Sequence, residues 1–548
     1  MPATQRFFGT SAAETFNLTI ASIVDAGAGN DTIYGSLFND SIYGEDGNDS
    51  LMGNNGDDLI FGGDGDNIIN GGYGDDYLIG GFGNDSITDR HGSNIINSGA
   101  GNDTVDLRDD TTPTTGLENN IVRTEDGNDL IYSGNGNNSI YAGSGHDTVY
   151  GNSTLGGNYI EGGDGSDSIY GGDGDDTIYG ESDELYPLLF SNVFRGSDII
   201  YCNNGNDLVY GNAGYDTIIG GEGNDTIYGG VGDDSIFGGA GSDIINSGAG
   251  NDTIDMRNET ATTTGLENNI VRTEDGDDVV YSGNGNNSIY AGAGNDTIYG
   301  NSTVGGNYIE GGDGNDSIYG GNGVNNIIYG GAGNDIISSN NISFVSGGLG
   351  NDLIYGTGTL QGDEGHDTIL GSYGNDLASG GIGNDSIHGS DGDDIINGDR
   401  GNDMLLGDNG NDTIFGGADN DTIFGGAGRD GINGGVGNDF INAGTGRNSV
   451  AGGAGADIFN FAAGDSIKNV GSWTIITDFA VNIDKIDVSP MAYFNALTNA
   501  STTIAGELKM EYNSAWNATL ITSDQANFIV QLNNGNFTTT LDAGDFIF

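Results

Sequence analysis

The sequence predicts an all-β chain: a solenoid of short parallel strands, closed at its C-terminal end by a β cap. Three observations carry that prediction. The chain repeats every nine residues, each repeat has one large apolar residue at a fixed place, and glycine recurs where the backbone must turn. Reading from Gly380 gives GGIGNDSIH, GSDGDDIIN, GDRGNDMLL, GDNGNDTIF, GGADNDTIF, GGAGRDGIN and GGVGNDFIN. Roughly forty such units follow one another, far more than the three or so a solenoid needs.

Each place in the unit has a physical reading. Glycines at the first, second and fourth places allow turn conformations closed to other residues. The last three residues, such as Thr226–Tyr228, form a short strand. Alternation sends Ile227 one way and Thr226 and Tyr228 the other. The central residue is the one that is regularly large and apolar, so it points inward. Two units then make one coil, and stacked coils give two parallel sheets with Ile, Leu and Val between them. Parallel strands joined by tight turns alone are a solenoid feature.

Composition narrows the partners. The 548 residues carry a net charge of −68, from 13 Lys+Arg against 81 Asp+Glu, and only 34 % are hydrophobic. Such a balance ordinarily means disorder, but here it is periodic and leaves a thin continuous core. Nucleic acid and anionic membrane would be repelled. The four histidines (His91, His146, His366, His388) are scattered, and Cys202 is the single cysteine. Zinc and copper would want those side chains, whereas carboxylates and carbonyls suit calcium. No internal disulfide is available to stabilise the fold.

The candidate ligands are the sixth-place aspartates. They are Asp31, Asp40, Asp49, Asp58, Asp76, Asp85, Asp103, Asp129, Asp147, Asp167 and Asp176, then Asp198, Asp207, Asp216, Asp225, Asp234, Asp243, Asp252 and Asp278, then Asp296, Asp316, Asp335, Asp352, Asp367, Asp376, Asp385, Asp394, Asp403, Asp412, Asp421, Asp430, Asp439 and Asp457. Stacking places like charges close together. At about 5 Å and an effective dielectric of about 20, each pair repels by roughly 3 kcal/mol. A divalent ion between turns reverses the sign. Roughly thirty Ca²⁺ would neutralise about 60 charges, close to the −68 present. Asn67, Asn94, Asn138, Asn158, Asn287, Asn307, Asn325 and Asn448 hold the sixth place without charge, so these turns are expected to bind calcium weakly or not at all.

The repeat GGxGxDxUx, seen over about residues 26–460, resembles that of the RTX (repeats-in-toxin) proteins exported by type I secretion. The resemblance implies a right-handed parallel β-roll, calcium at the turn aspartates, and folding after export. Residues 456–489 contain DIFNF, ITDF and DKIDVS and look like the cap that follows the roll in serralysin-type secreted proteases. The ending LDAGDFIF (541–548) is similar to an uncleaved type I secretion signal, and the first twenty residues have no signal-peptide core. No apolar run is long enough for a membrane-spanning helix. The expected organisation is an N-terminal cap (1–25), a first roll block (26–180) with an insertion near 104–127, an insertion loop (181–196), a second block (197–460) with an insertion near 253–276, and a cap with the secretion signal (461–548).

Residues 95–172 and 244–321 are near copies, both containing TGLENNIVRTEDG. Arg108, Arg123, Arg257 and Arg272 concentrate in their insertions, and the 181–196 loop carries Leu188, Leu189, Phe190 and Phe194. These loops either contact other molecules or pack back on the roll. No HExxH, GxSxG or P-loop occurs, and repeat plus cap leave no room for an enzyme domain, so the chain is read as not an enzyme. A regular outward threonine ladder, which an ice-binding surface needs, is missing. Rows of tyrosine at the strand ends favour side-by-side or end-to-end packing. The sequence therefore points to a secreted, calcium-binding structural protein that assembles with itself into a cell-surface layer, fibril or extracellular matrix. The alternative is a monomeric adhesin or carbohydrate-binding protein that contacts surface glycans through the insertions. Nucleic acid and membrane insertion are excluded as partners.

Overall fold

The computed structural model describes residues 5–108, 118–153, 156–181, 196–257, 267–303, 305–462 and shorter segments between 465 and 547. They form two compact units, Met1–Gly283 and Asn284–Phe548. Strands alternate between two parallel stacks in each. In the first unit, Gln5–Phe8 pairs with Ser22–Asp25, which pairs with Ser41–Asp46, Leu59–Asp64 and Tyr77–Phe82 in turn. The intervening strands Thr15–Asn17, Thr32–Tyr34, Ser50–Asn55 and Ile68–Tyr73 make the second stack. The coil therefore begins within the segment expected to cap the N-terminus.

Eighth-place residues sit directly over one another, as in Ile42↔Ile60 and Leu51↔Ile69. Ile42, Ile60, Leu78, Ile96, Ile200, Ile218 and Ile236 have no exposed surface. One inward side chain per nonapeptide gives a core a single layer thick, and its continuity along the stack is what excludes water. The turns explain the glycines. Gly63 and Gly65 have φ of 108° and 123°, and a side chain at either would strike the backbone of the neighbouring coil.

Insertions leave the ladder intact. Asp103 and Asp129 stack although they are 26 residues apart, and Asp167 stacks on Asp198 across 31, where 18 is the usual spacing. The described coils on either side of each insertion stay in register. Leu188, Leu189, Phe190 and Phe194 lie outside the described residues. Three of the insertion arginines are engaged by their own roll. Arg108 pairs with Asp106 at 2.8 Å and lies 3.7 Å from the Tyr132 ring, Arg257 pairs with Asp255 and covers Tyr281, and Arg123 covers Tyr141. Strand-end tyrosines stack: Tyr132, Tyr150, Tyr170 and Tyr201 follow one another at 4.9, 4.7 and 5.0 Å.

In the second unit the parallel ladder continues to Ile458–Asn460 and Lys485–Asp487. The strand Trp473–Ile476 stacks on Thr445–Ala454 and in turn pairs with Phe528–Leu532. That strand closes an antiparallel meander with Glu507–Asn513 and Ala518–Ser523. Phe459 and Phe479, both fully buried, pack 6.0 Å apart. Phe528–Leu532 extends the stack of the last coil, and the two antiparallel strands follow on from it. Among the described residues no helix is long and apolar enough to cross a membrane.

Ile218→Ala should cost about 2–4 kcal/mol, measured by guanidinium denaturation in excess calcium. Tyr215→Ala, at a ring 66 % exposed, should stay within about 0.5 kcal/mol.

Candidate metal-binding turns

Every predicted aspartate is buried at the edge of the core. The turns bring them into two columns in each unit. In the first unit one column runs Asp31, Asp49, Asn67, Asp85, Asp103, Asp129, Asp147, Asp167, Asp198, Asp216, Asp234, Asp252 and Asp278. The other runs Asp40, Asp58, Asp76, Asn94, Asn120, Asn138, Asn158, Asp176, Asp207, Asp225, Asp243 and Asn269.

The link is the same throughout. The backbone N–H of a sixth-place residue donates to the Oδ1 of the sixth-place side chain one coil on, at 2.7 Å from Asp31 to Asp49 and 2.9 Å from Asp216 to Asp234. One carboxylate oxygen is thereby satisfied. The other, Oδ2, is buried and receives no hydrogen bond at Asp49, Asp58, Asp103, Asp216, Asp234, Asp403 and through most of both columns. Native proteins rarely leave such atoms unpaired. Fifth-place residues differ: they are exposed, and their ladder runs the opposite way, with Asp66 N–H donating to Asn48 Oδ1 and Asn84 N–H to Asp66 Oδ1.

The space beside each Oδ2 is defined by the first-place glycine. A methyl group on Gly44 would collide with Asp49 Oδ2 and with the carbonyl oxygen of Gly62 one coil on. Gly53, Gly211 and Gly220 repeat this with Asp58, Asp216 and Asp225. The missing side chain leaves a cradle between a carboxylate and a carbonyl. All of these donors are hard oxygens, which fits calcium and not zinc or copper. Among the described residues no cluster of three or more His, Cys, Asp or Glu side chains forms a conventional metal site; in these turns carbonyls supply what further carboxylates would.

Two predicted ligands stand apart. Asp40 Oδ2 accepts the Ser36 N–H at 2.7 Å and Asp376 Oδ2 accepts the Ser372 N–H at 3.2 Å, so each is closed by its own turn. Asn325 does not hold the sixth place. Its turn has one extra residue, Asn325 is exposed with φ of 62°, and the buried Asn326 accepts the Asn307 N–H at 2.9 Å. The nine-residue reading missed Asp89. It stands at the first place of the Asn94 turn, buried, and its Oδ2 converges with Asp76 Oδ2 on the space beside Gly71.

Burial raises these carboxyls. Asp58 is pushed up to about 8, chiefly by burial and further by Asp76, Asp40 and Asp57, against the opposing N–H of Asp40. Asp198, Asp207 and Asp234 also reach about 8 and Asp216 about 6, again through burial first. Asp89 is pushed up to about 9 by burial and then by Asp76. Without a counter-ion, the folded turns favour the protonated acid.

The profile of the RTX calcium-binding nonapeptide repeat matches residues 25–60, 52–87, 70–105, 114–149, 152–184, 195–218, 219–254, 272–303, 302–337, 325–341, 356–387, 370–405, 397–432, 406–441 and 433–467, together well over half of the chain. No curated protein matches. Among solved structures, the solution structure of the AlgE6R3 subunit from the Azotobacter vinelandii mannuronan C5-epimerase is 28 % identical, over 27 % of this chain and 80 % of that one, with a TM-score of 0.21.

The carboxyl shifts set a pH dependence for the metal-free protein. A folded pKa above the unfolded 3.8 gives stability that is full below pH 4 and is lost as pH rises through about 8. Far-UV circular dichroism in chelator should therefore show β-structure growing as pH falls from about 8.5 to about 5. In excess calcium the order reverses, because protons then compete with the cation. A metal-free fold insensitive to pH across this window would contradict the burial of ionisable carboxyls.

Proposed function

The chain belongs to the RTX calcium-binding nonapeptide repeat family, and from that premise we propose that it is a secreted structural protein, folded by calcium and assembled with its own copies at the cell surface. The observation that carries the calcium reading is the row of buried Oδ2 atoms without donors, each beside a carbonyl oxygen. The sixth-place aspartates of both columns would hold the ions, with the turn carbonyls completing an oxygen shell. A bound divalent cation neutralises adjacent carboxylates and couples neighbouring coils. Folding is then linked to calcium concentration, so the chain would stay unfolded inside the cell, pass a type I exporter, and fold outside.

The structural role is supported by what the roll presents. Its outer faces carry aromatic ladders, exposed strand-end residues such as Tyr228 and Tyr319, and seventh-place isoleucines such as Ile199 and Ile244, each about 40 % exposed. Rows of this kind suit lateral packing of one roll on another, and an open heterologous contact extends into a layer or fibril.

A second reading, a monomeric adhesin or carbohydrate binder, is favoured by one feature. Tyr355, Tyr373 and His388 stand beside Asp391 and Asp408 along an open groove, and the Tyr373 ring is 82 % exposed. An exposed ring with flanking acceptors is suited to a glycan.

Replacing Asp216 and Asp234 together by Asn should reduce calcium affinity in calorimetry by roughly tenfold or more at the affected turns. Light scattering on the unaltered chain should rise after calcium addition at neutral pH. Calcium binding with a persistent monomer would move the function to the second reading.

A further inference from the structure

We propose that this roll is divided along its length into cation-held turns and turns held by asparagine amides. In the amide-held turns the side-chain nitrogen occupies the oxygen-lined position that a cation would fill in the others. The inference rests on the calcium reading above and deepens it by assigning the turns individually.

Asn67 stands alone among aspartates in its column, but other neutral side chains follow one another in runs. In the first unit Asn94, Asn120, Asn138 and Asn158 are consecutive in one column, while the facing column over the same coils is Asp85, Asp103, Asp129, Asp147 and Asp167. The second unit repeats the arrangement. Asn287, Asn307 and Asn326 are consecutive in one column and are followed in register by Ser343 and Gly358, and the facing column is Asp296, Asp316, Asp335, Asp352 and Asp367.

The amides make bonds that a carboxylate cannot. Asn138 Nδ2 lies 2.9 Å from Gly134 O, 3.1 Å from Asn158 Oδ1 and 3.3 Å from Gly136 O. Asn120 Nδ2 donates to Asn138 Oδ1 at 3.2 Å, and Asn158 Nδ2 to Gly171 O at 2.9 Å. Asn307 Nδ2 reaches Gly300 O at 3.1 Å and Asn326 Nδ2 reaches Gly323 O at 3.1 Å. Gly171 O stands, one coil on from Gly151, where Gly62 O faces Asp49 Oδ2, and here it receives an N–H donor; the carbonyls of Gly134, Gly136, Gly300 and Gly323 belong to the asparagine's own turn. The Asn138 turn is closed further by Ser133, whose hydroxyl donates to Gly151 O. Each amide supplies both donor and acceptor, so the stack is satisfied with no ion and no repulsion.

The boundary supports the assignment. Next to Asp76, where the sixth place turns to Asn94, a carboxylate is restored from the first place by Asp89, and both Oδ2 atoms face the space at Gly71. That turn therefore keeps a cation position, and the amide-held stretch in this unit begins at Asn120.

The test is the calcium content of the full-length protein after gel filtration, by plasma mass spectrometry, for the natural chain and for N120D/N138D/N158D. The variant should hold about two more ions per chain and should need several-fold more free calcium to reach half-maximal β-structure. An equal ion count in the two proteins overturns the inference while leaving calcium binding intact. No calcium in either overturns the calcium reading itself. If the variant does not fold, hydrogen exchange of the natural chain at limiting calcium decides. Amides in the Asn138 and Asn158 turns should be protected longer than those of Asp207 and Asp225 in the same column. Equal loss overturns the inference.

Discussion

A carboxylate oxygen buried without a hydrogen-bond donor, renewed at almost every coil, is the constraint on which this structure depends. Asp49, Asp216 and Asp403 each satisfy one oxygen with the backbone N–H of Asp31, Asp198 and Asp385 and leave the other facing carbonyls. An unpaired buried charge costs several kcal/mol, and the columns contain dozens of acids in register. Protonation relieves the cost at low pH, as the upward shifts of Asp58 and Asp198 express. A divalent cation relieves it at neutral pH and also bridges adjacent coils.

Other features follow from that constraint. The first-place glycine is required because a side chain there would fill the space between Oδ2 and the carbonyl, as at Gly44 and Gly211. The thin core of Ile42, Ile60 and their successors suffices when the turns on either edge are tied coil to coil. Where the tie at one edge changes from carboxylate to amide, as at Asn138, the opposite edge keeps its aspartates. A few carboxylates satisfy the second oxygen within their own turn: Asp40 accepts the N–H of Ser36, and Asp484 beyond Asp457 accepts that of Ala480.

The nine-residue period made most of this legible. Strand, inward residue and turn aspartate each sit where Thr226–Ile227–Tyr228 and Asp225 were expected. The run of consecutive asparagines in one column was not legible, because insertions change the spacing between stacked turns from 18 to 26, 20, 31 or 15 residues. Parity counted along the sequence is lost at each of these. The same effect hid Asn120 and Asn269 behind the insertions and shifted Asn326 to Asn325. Asp89 escaped because the first place is glycine in the repeat, and only the stacking shows that a carboxylate there reaches the space used by Asp76. The sequence left open whether the insertions contact other molecules or pack back on the roll, and Arg108 and Arg257 are taken up by Asp106 and Asp255 and by rings of the same roll.

The most direct test of the account is far-UV circular dichroism at neutral pH on protein stripped with chelator, titrated separately with calcium and magnesium. Calcium accepts a flexible shell of six to eight oxygens, whereas magnesium demands a near-octahedral one and gives up water reluctantly. The expected result is a coil spectrum in chelator, a cooperative gain of β-structure with calcium, and little response to magnesium at the same concentration. Full β-structure already present in chelator at neutral pH, unchanged by either ion, would contradict it.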